Sequence, residues 1–245
     1  MKRLFHFFLI ATMTLVYSCN TKVENVSEII QLMKNKYNNS CVTNISFSQN
    51  VFEYENDSII EETVWHEAYS YPHQLIIKAD SFESGTGYVY NWDSLYIMEN
   101  REINSKMEKL NDLIVMLFDV YKQPVEETIQ MLYKMGYEAD KFFETKLNGK
   151  KVYCIGAENE TDSSHKFYID KENLYLVKNV KCYENGTWET ILTDYKQIDN
   201  YTVATTVEFY FNGKLSMKEE YYNIKFPQSL NTVIFNPYEF DKARW

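Results

Sequence analysis

The stretch Thr202-Val203-Ala204-Thr205-Thr206-Val207-Glu208-Phe209-Tyr210-Phe211 runs into Asn212-Gly213 and then into Lys214-Leu215-Ser216-Met217-Lys218. Val203, Thr205, Val207, Phe209 and Phe211 fall on every second position. Successive side chains of a strand point to opposite faces, so this spacing predicts a strand with one buried face. Asn-Gly supplies the two positive-φ residues of a tight hairpin turn. The pair of runs therefore reads as a hairpin. The same signal recurs at Asn148-Gly149 and Asn185-Gly186. Between these turns, residues 152–157, 166–169, 174–183, 189–196 and 215–225 read as further strands.

Working outward, the N-terminal half also reads as strands. Residues 41–54 alternate through Ile45, Phe47 and Val51, and Asn56-Asp57-Ser58 is a turn. Residues 59–69 and 74–79 follow, with Pro72 between them. Tyr88-Val89-Tyr90 and Leu95-Tyr96-Ile97-Met98 flank Asn91-Trp92-Asp93-Ser94 as another hairpin. Three stretches change period. Asn25 with Glu28 three residues on is a helix start, and Val26, Ile29, Ile30, Met33 and Tyr37 share a helical face. Met107, Leu110, Ile114, Leu117, Phe118 and Tyr121 recur at three- and four-residue steps and predict a second amphipathic helix. Pro124 opens a third, striped by Val125, Ile129, Leu132 and Tyr133, which Gly136 ends as a left-handed cap. No composition break divides the chain. The expectation is an α+β protein, mostly antiparallel β, in one domain over 25–245. Its sheet would have about ten strands, strongly curved or an unclosed half-barrel, because so wide a sheet does not stay flat. Helices would cover the concave face.

Composition sets limits on function. The 245 residues hold 25 Lys+Arg against 35 Asp+Glu, a formal charge of −10, which speaks against a phosphate-binding surface for nucleic acid. Only 7 Gly and 4 Pro occur, where average usage gives about 17 and 12. No spacing among those glycines forms a phosphate-cradling loop or a nucleophile elbow. His66, His73 and His165 lack metal-ligand spacing, so no metal or cofactor is expected. His66 and His73 could meet across strands, but a polar surface or capping role is the simpler reading. Glu61-Glu62, Glu126-Glu127 and Glu219-Glu220 read as a solvated edge, a helix start and an exposed face or turn. The chain is read as a non-enzyme with no catalytic residues.

The N-terminus indicates place. Met1-Lys2-Arg3 precedes an apolar run from Leu4 to Val16, too short to span a membrane, which takes roughly 20 residues. It ends at Val16-Tyr17-Ser18-Cys19, which resembles a bacterial lipoprotein signal. Residues 1–18 would be removed, Cys19 lipidated, and 19–24 left as a tether. No later stretch reaches spanning length, so the lipid is the expected membrane attachment. Asn20 rather than Asp, and no acidic tract after Cys19, favour the outer membrane of a Gram-negative-type envelope and a periplasm-facing position. Cys41, Cys154 and Cys182 remain; buried thiols are expected, although the compartment permits a disulfide.

The order of elements resembles the LolA/LolB-like family of outer-membrane lipoprotein carriers and receptors. Ile45-Ser46-Phe47-Ser48-Gln49 is similar to its Phe-x-Gln opening strand, and Tyr71-Pro72-His73-Gln74-Leu75 to its Pro-containing entry to the next. Tyr88 to Tyr96 is placed like its Asp-Gly-x-x-Leu-Trp hairpin, with Ser94 where Gly is commoner. Phe167-Tyr168-Ile169-Asp170 before Leu174-Tyr175-Leu176-Val177 resembles its Ile-Asp then Leu-Pro segment. Asp194-Tyr195-Lys196, Tyr222-Asn223-Ile224 and Phe235-Asn236-Pro237 resemble its closing strands. The resemblance implies an apolar hollow that accepts acyl chains. Carriers have an interior arginine in the early strands, whereas here Arg3, Arg101 and Arg244 are the only arginines and none lies in 45–79.

The expected function is non-covalent binding of a lipid, an acyl chain of a lipoprotein or another hydrophobic ligand, by a lipid-anchored monomer. Phe47, Trp65, Tyr90, Trp92, Leu117, Phe118 and Tyr121 are the candidate cavity residues. The alternative is an envelope protein–protein interaction or stress-sensing module on the same fold, without transport.

Overall fold

The computed structural model describes residues 22–245; the proposed signal segment and Cys19 lie outside the described residues. The chain begins with helix α1 (Val26–Tyr37), followed by strands β1 (Asn44–Glu55), β2 (Ser58–Ser70), β3 (Gln74–Ala79), β4 (Gly87–Asn91), β5 (Ser94–Glu99) and β6 (Glu102–Glu108). Helix α2 (Asp112–Leu117), a 3₁₀ turn (Asp119–Tyr121) and helix α3 (Val125–Lys134) come next. The second half is β7 (Glu138–Leu147), β8 (Lys150–Gly156), β9 (Lys166–Asp170), β10 (Leu176–Tyr183), β11 (Gly186–Thr193), β12 (Lys196–Ile198), β13 (Tyr201–Val203), β14 (Thr206–Phe211) and β15 (Lys214–Lys225). Two further 3₁₀ segments, Thr232–Phe235 and Pro237–Lys242, close the chain.

Thirteen strands form one sheet in the order β6-β5-β4-β3-β2-β1-β15-β14-β11-β10-β9-β8-β7. Every pairing in it is antiparallel, including β1 with β15, which joins the two halves. The sheet is curved and unclosed: β6 and β7 are its two edges. Sequence reading expects about ten strands. The sheet has thirteen; β6 is one of the additional strands, and only its Met107 falls in the helical spacing, while β12–β13 form a two-stranded ribbon outside this sheet.

The topology dictates where the helices go. The chain leaves the sheet at edge β6 and re-enters at edge β7, so residues 109–137 must cross from one edge to the other. They pack on one face together with α1. There Ile29, Ile30, Met33, Val115, Met116, Val120 and Leu132 meet Tyr153, Ile155, Phe167, Ile169 and Leu176 of the sheet in one buried cluster. The opposite face of β2–β5 is closed by the C-terminal 3₁₀ segments, where Ile234, Phe235, Phe240 and Ala243 pack on Ala68, Ile76, Val89 and Met98. Lys78 is buried beneath this segment. Its Nζ donates to the carbonyls of Phe82 (2.7 Å) and Asp241 (3.4 Å) and lies over the Phe240 ring.

Helix α1 starts as expected, with Asn25 Oδ1 accepting from the Glu28 amide at 3.0 Å. The second helix is shorter than its periodicity suggests. Met107 belongs to β6 opposite Leu95, and the helix begins only after Asn111, whose Oδ1 accepts from the amides of Leu113 and Ile114. That capping chemistry outranks the three- and four-residue spacing of Met107 and Leu110. Pro124 is the cap of α3 rather than its first helical residue, and Tyr133 points to solvent at 49% exposure. Asn148-Gly149 and Asn212-Gly213 turn with both residues at positive φ, as their hairpins require. Gly186 instead starts β11, so the turn there is Glu184-Asn185. The run 202–211 is interrupted after Val203, where the Thr205 hydroxyl donates to the Asp194 carbonyl and the ribbon β12–β13 branches off. Cys41, Cys154 and Cys182 carry free thiols, and burial pushes that of Cys154 up to about 12.

The C-terminal cover provides a direct test of this architecture. Phe240→Ala empties a site that is 1% exposed, whereas Tyr238, two residues away, is 80% exposed. Urea denaturation is expected to show a loss of about 3–5 kcal/mol for Phe240→Ala. Tyr238→Ala should stay within about 0.5 kcal/mol of the unsubstituted protein.

Candidate functional site

Between the crossing segment and the sheet lies an elongated apolar hollow. Phe47, Ile45, Val207 and Tyr221 contribute from β1, β14 and β15, and Leu192 from β11. Leu117, Phe118 and Tyr121 descend from the crossing segment. Tyr37, Cys41, Val42, Tyr175, Tyr195, Val203 and Ala204 complete the lining. About 640 Å³ in this region, open solvent at its mouth included, is free of protein atoms, but only about 40 Å³ can hold the centre of a water molecule. At about 10–15 Å³ per water sphere, that is room for a few waters. The hollow is thus a nearly closed slot, and a chain of methylenes enters it only if its cover moves.

The tyrosines here share one arrangement. Tyr37 donates its hydroxyl to the Asn173 carbonyl at 2.7 Å, Tyr121 to Leu174 at 3.3 Å and Tyr195 to Leu176. The rings face the slot while the hydroxyls satisfy one loop. Burial raises the hydroxyl pKa of all three, that of Tyr37 to about 12, so none brings charge to the slot.

The cover is held by a buried polar latch. Asp119, fully buried, accepts from the Tyr69 hydroxyl at 2.7 Å, and its second oxygen lies 2.6 Å from His73 Nδ1. The Tyr69 ring stacks on Phe118 with centroids 4.6 Å apart. At the other end of α2, Asp112 pairs with Lys181 of β10 at 2.9 Å. Hydrogen bonds to a buried charge are among the stronger ones, about 1.5–3 kcal/mol each. The cover is therefore pinned at discrete points, with apolar side chains between them. His73 does not meet His66 and is not a surface residue. It is 3% exposed, while His66 stacks on Phe82 and bonds Ser48 at 2.9 Å.

A second buried polar group lies on the same face of the sheet. Glu67 sits opposite Phe47 across β1–β2, and Glu219 sits opposite Val207 across β14–β15. Gln49 of β1 lies on the strand between them and donates to Glu67 Oε1 at 3.0 Å. The Tyr221 hydroxyl donates to Glu219 at 2.9 Å. Burial raises both carboxyl pKa values, Glu219 to about 7 and Glu67 well above its ordinary value, the latter pushed further by Glu219. Glu219 was expected on an exposed face with Glu220. It is buried because it alternates with Tyr221 and Met217 on the covered face of β15, while Glu220 pairs with Lys218.

Of the cavity candidates read from sequence, Phe47, Leu117, Phe118 and Tyr121 line the slot. Trp65 and Tyr90 pack beside it in the neighbouring cluster with Tyr69, Leu75 and Ile77. Trp92 is in the β4–β5 turn, 56% exposed, with its edge toward His73, and does not reach the slot. Tyr37, Tyr175, Tyr195 and Tyr221 were missed. Tyr37 was the most legible of these, through its place on the apolar face of α1 with Val26, Ile29, Ile30 and Met33.

No protein-family model matches the sequence, and no curated protein matches it. The fold does match solved structures. One is a DUF1329 family protein from Desulfovibrio piger, with a TM-score of 0.58 and 10% identity over 87% of this chain and 98% of that one. A second is the LolA superfamily protein NE2245 from Nitrosomonas europaea, at 0.55 and 10%, over 87% and 98%. A third is an outer membrane lipoprotein-sorting protein domain from Vibrio parahaemolyticus, at 0.56 and 13%, over 88% and 97%.

The acid pair predicts how stability depends on pH. Both carboxyls hold their protons more tightly folded than unfolded. The stability this provides is complete below about 4.5 and is lost as pH rises through the folded values, about 7 for Glu219. The urea midpoint should fall between pH 5 and pH 8, and the double variant Glu67→Gln/Glu219→Gln should lose most of that fall. A flat midpoint in the unsubstituted protein would contradict the assignment. At the level of fold, then, this chain is LolA-like, as the resemblance in its sequence implied.

Proposed function

We propose that the protein is a lipid-anchored, periplasm-facing envelope protein that holds a lipid, an acyl chain or another hydrophobic ligand without a covalent bond to it. The observation that carries this reading is the slot itself. Apolar and aromatic side chains line it, and a segment held by a few polar contacts covers it. A side chain filling such a space would gain about 1.5–3 kcal/mol by full burial. Leaving the space unfilled beneath a detachable cover has a functional reason if the cover admits a guest. Apolar burial would drive binding, so affinity should tolerate salt.

The anchor rests on Val16-Tyr17-Ser18-Cys19, and the envelope location on that signal and on the fold. Among the described residues no helix is long and apolar enough to cross a membrane. The expected state is a monomer tethered by its N-terminal lipid, possessing no catalytic step. The Asp119–His73 pair serves in this reading to hold the cover.

Purified protein of residues 20–245, made without lipidation, tests the proposal. Native mass spectrometry should show co-purified lipid, or the emptied protein should take up a hydrophobic dye. Ala204→Phe, which fills the slot from its wall, should reduce uptake at least about tenfold while circular dichroism stays unchanged. An empty protein that takes up neither lipid nor dye would overturn the reading. Crosslinking in cells to one dominant protein partner, with no lipid, would favour the interaction-module alternative.

A further inference from the structure

The slot borders an uncompensated acidic site. Glu67 and Glu219 are 7% and 6% exposed, and among the described residues no lysine or arginine pairs with either. Both are direct cross-strand neighbours of residues that line the slot, Phe47 and Val207. Tyr221 marks the junction: its ring lines the slot, stacked on Phe47 at 4.5 Å, and its hydroxyl donates to Glu219. Gln49 lies between the two acids, fully buried. Its amide nitrogen is committed to Glu67, and its Oε1 is buried with no donor. Turning the amide over would place Oε1 against Glu67, which satisfies it only while Glu67 carries a proton.

Buried polar atoms of this kind are nearly always satisfied. In the empty protein a proton held by the acid pair is one such donor; a compact donor with positive charge would take its place and leave both carboxyls ionised and partnered. A primary ammonium has three N–H donors and no acceptor. Glu67, Glu219 and Gln49 Oε1 offer three acceptors on one face of the sheet; none of the three lines the slot, but each is the cross-strand neighbour of a residue that does, Phe47, Val207 and Tyr221.

We propose that Glu67, Glu219 and Gln49 form a head-group subsite of the slot that takes a primary ammonium, so that the ligand is a cationic amphiphile with its apolar tail beneath the crossing segment. This rests on the slot being a ligand site and specifies the chemistry of what fills it. A carboxylate-headed chain would meet like charge there, and an alcohol would satisfy only part of the acceptor set.

Binding of dodecylamine, dodecanol and dodecanoate to delipidated residues 20–245, by dye displacement below their micellar range, tests this. The measurement belongs at pH 8, where the amine stays protonated, since an alkylammonium titrates near 10 like lysine. The amine should bind roughly tenfold or more tighter than the alcohol, as a charge-assisted hydrogen bond permits, and the carboxylate weakest. In Glu67→Gln/Glu219→Gln the gap between amine and alcohol should close, with affinity for the alcohol retained. Equal binding of amine and alcohol to the unsubstituted protein would overturn the inference, leave the slot reading intact, and assign the acid pair a shared proton. A gap that survives the double substitution would also overturn it. Failure of all three compounds to bind would overturn the slot reading and this inference together.

Discussion

An open sheet whose two edge strands are joined by a single stretch of chain is the constraint on which this structure depends. Strands β6 and β7 are the last of thirteen in either direction, yet they are consecutive in sequence apart from residues 109–137. That segment leaves and returns at neighbouring points, where Glu108 pairs with Lys134, and packs across one face of the sheet. Backbone running over an apolar face must satisfy its own hydrogen bonds, and it does so as short helices and a 3₁₀ turn. Apolar residues on its underside then bury themselves against the strands. The cover and the slot follow from the topology before any side chain is chosen for a ligand.

Side chains decide how tightly the cover is held. Most of the crossing segment packs through Val115, Met116, Val120 and Leu132, which bind it to α1 and to strands β7–β11. Near Phe118 the contact becomes polar, because Tyr69 and His73 reach Asp119 from the other half of the sheet. Such bonds are directional and are lost at once when geometry changes, unlike apolar contact, which declines gradually with separation. The segment beside the slot is therefore the part best placed to open as a unit.

The fold was legible where local chemistry and tertiary packing agree. Val207, Phe209, Phe211 and Asn212-Gly213 gave a strand and a turn, and Asn25 with Glu28 gave a helix start. It was misread where two periods overlap. Met107 and Leu110 continue the helical spacing of Ile114, Leu117 and Phe118, and only the Asn111 cap separates strand from helix. The site was half legible. Phe47, Leu117, Phe118 and Tyr121 carry apolar signals in elements that the topology brings together. Trp92 carries an equally strong apolar signal but occupies a turn with φ of 57°, which directs it outward. Asp119, Glu67 and Glu219 were missed for one reason: a carboxylate in sequence implies solvent, and only three-dimensional neighbours can bury it.

In the proposed function the slot opens by releasing the cover at Asp119. Tyr69→Phe tests it most directly, because the ring and its stacking on Phe118 remain while one hydrogen bond to Asp119 is lost. Stopped-flow entry of a hydrophobic dye into the delipidated protein gives the rate. A lost bond of about 1.5 kcal/mol that is broken on the way to the open state predicts entry roughly tenfold faster, with final capacity unchanged. Entry at the same rate, with the same capacity, would contradict the account.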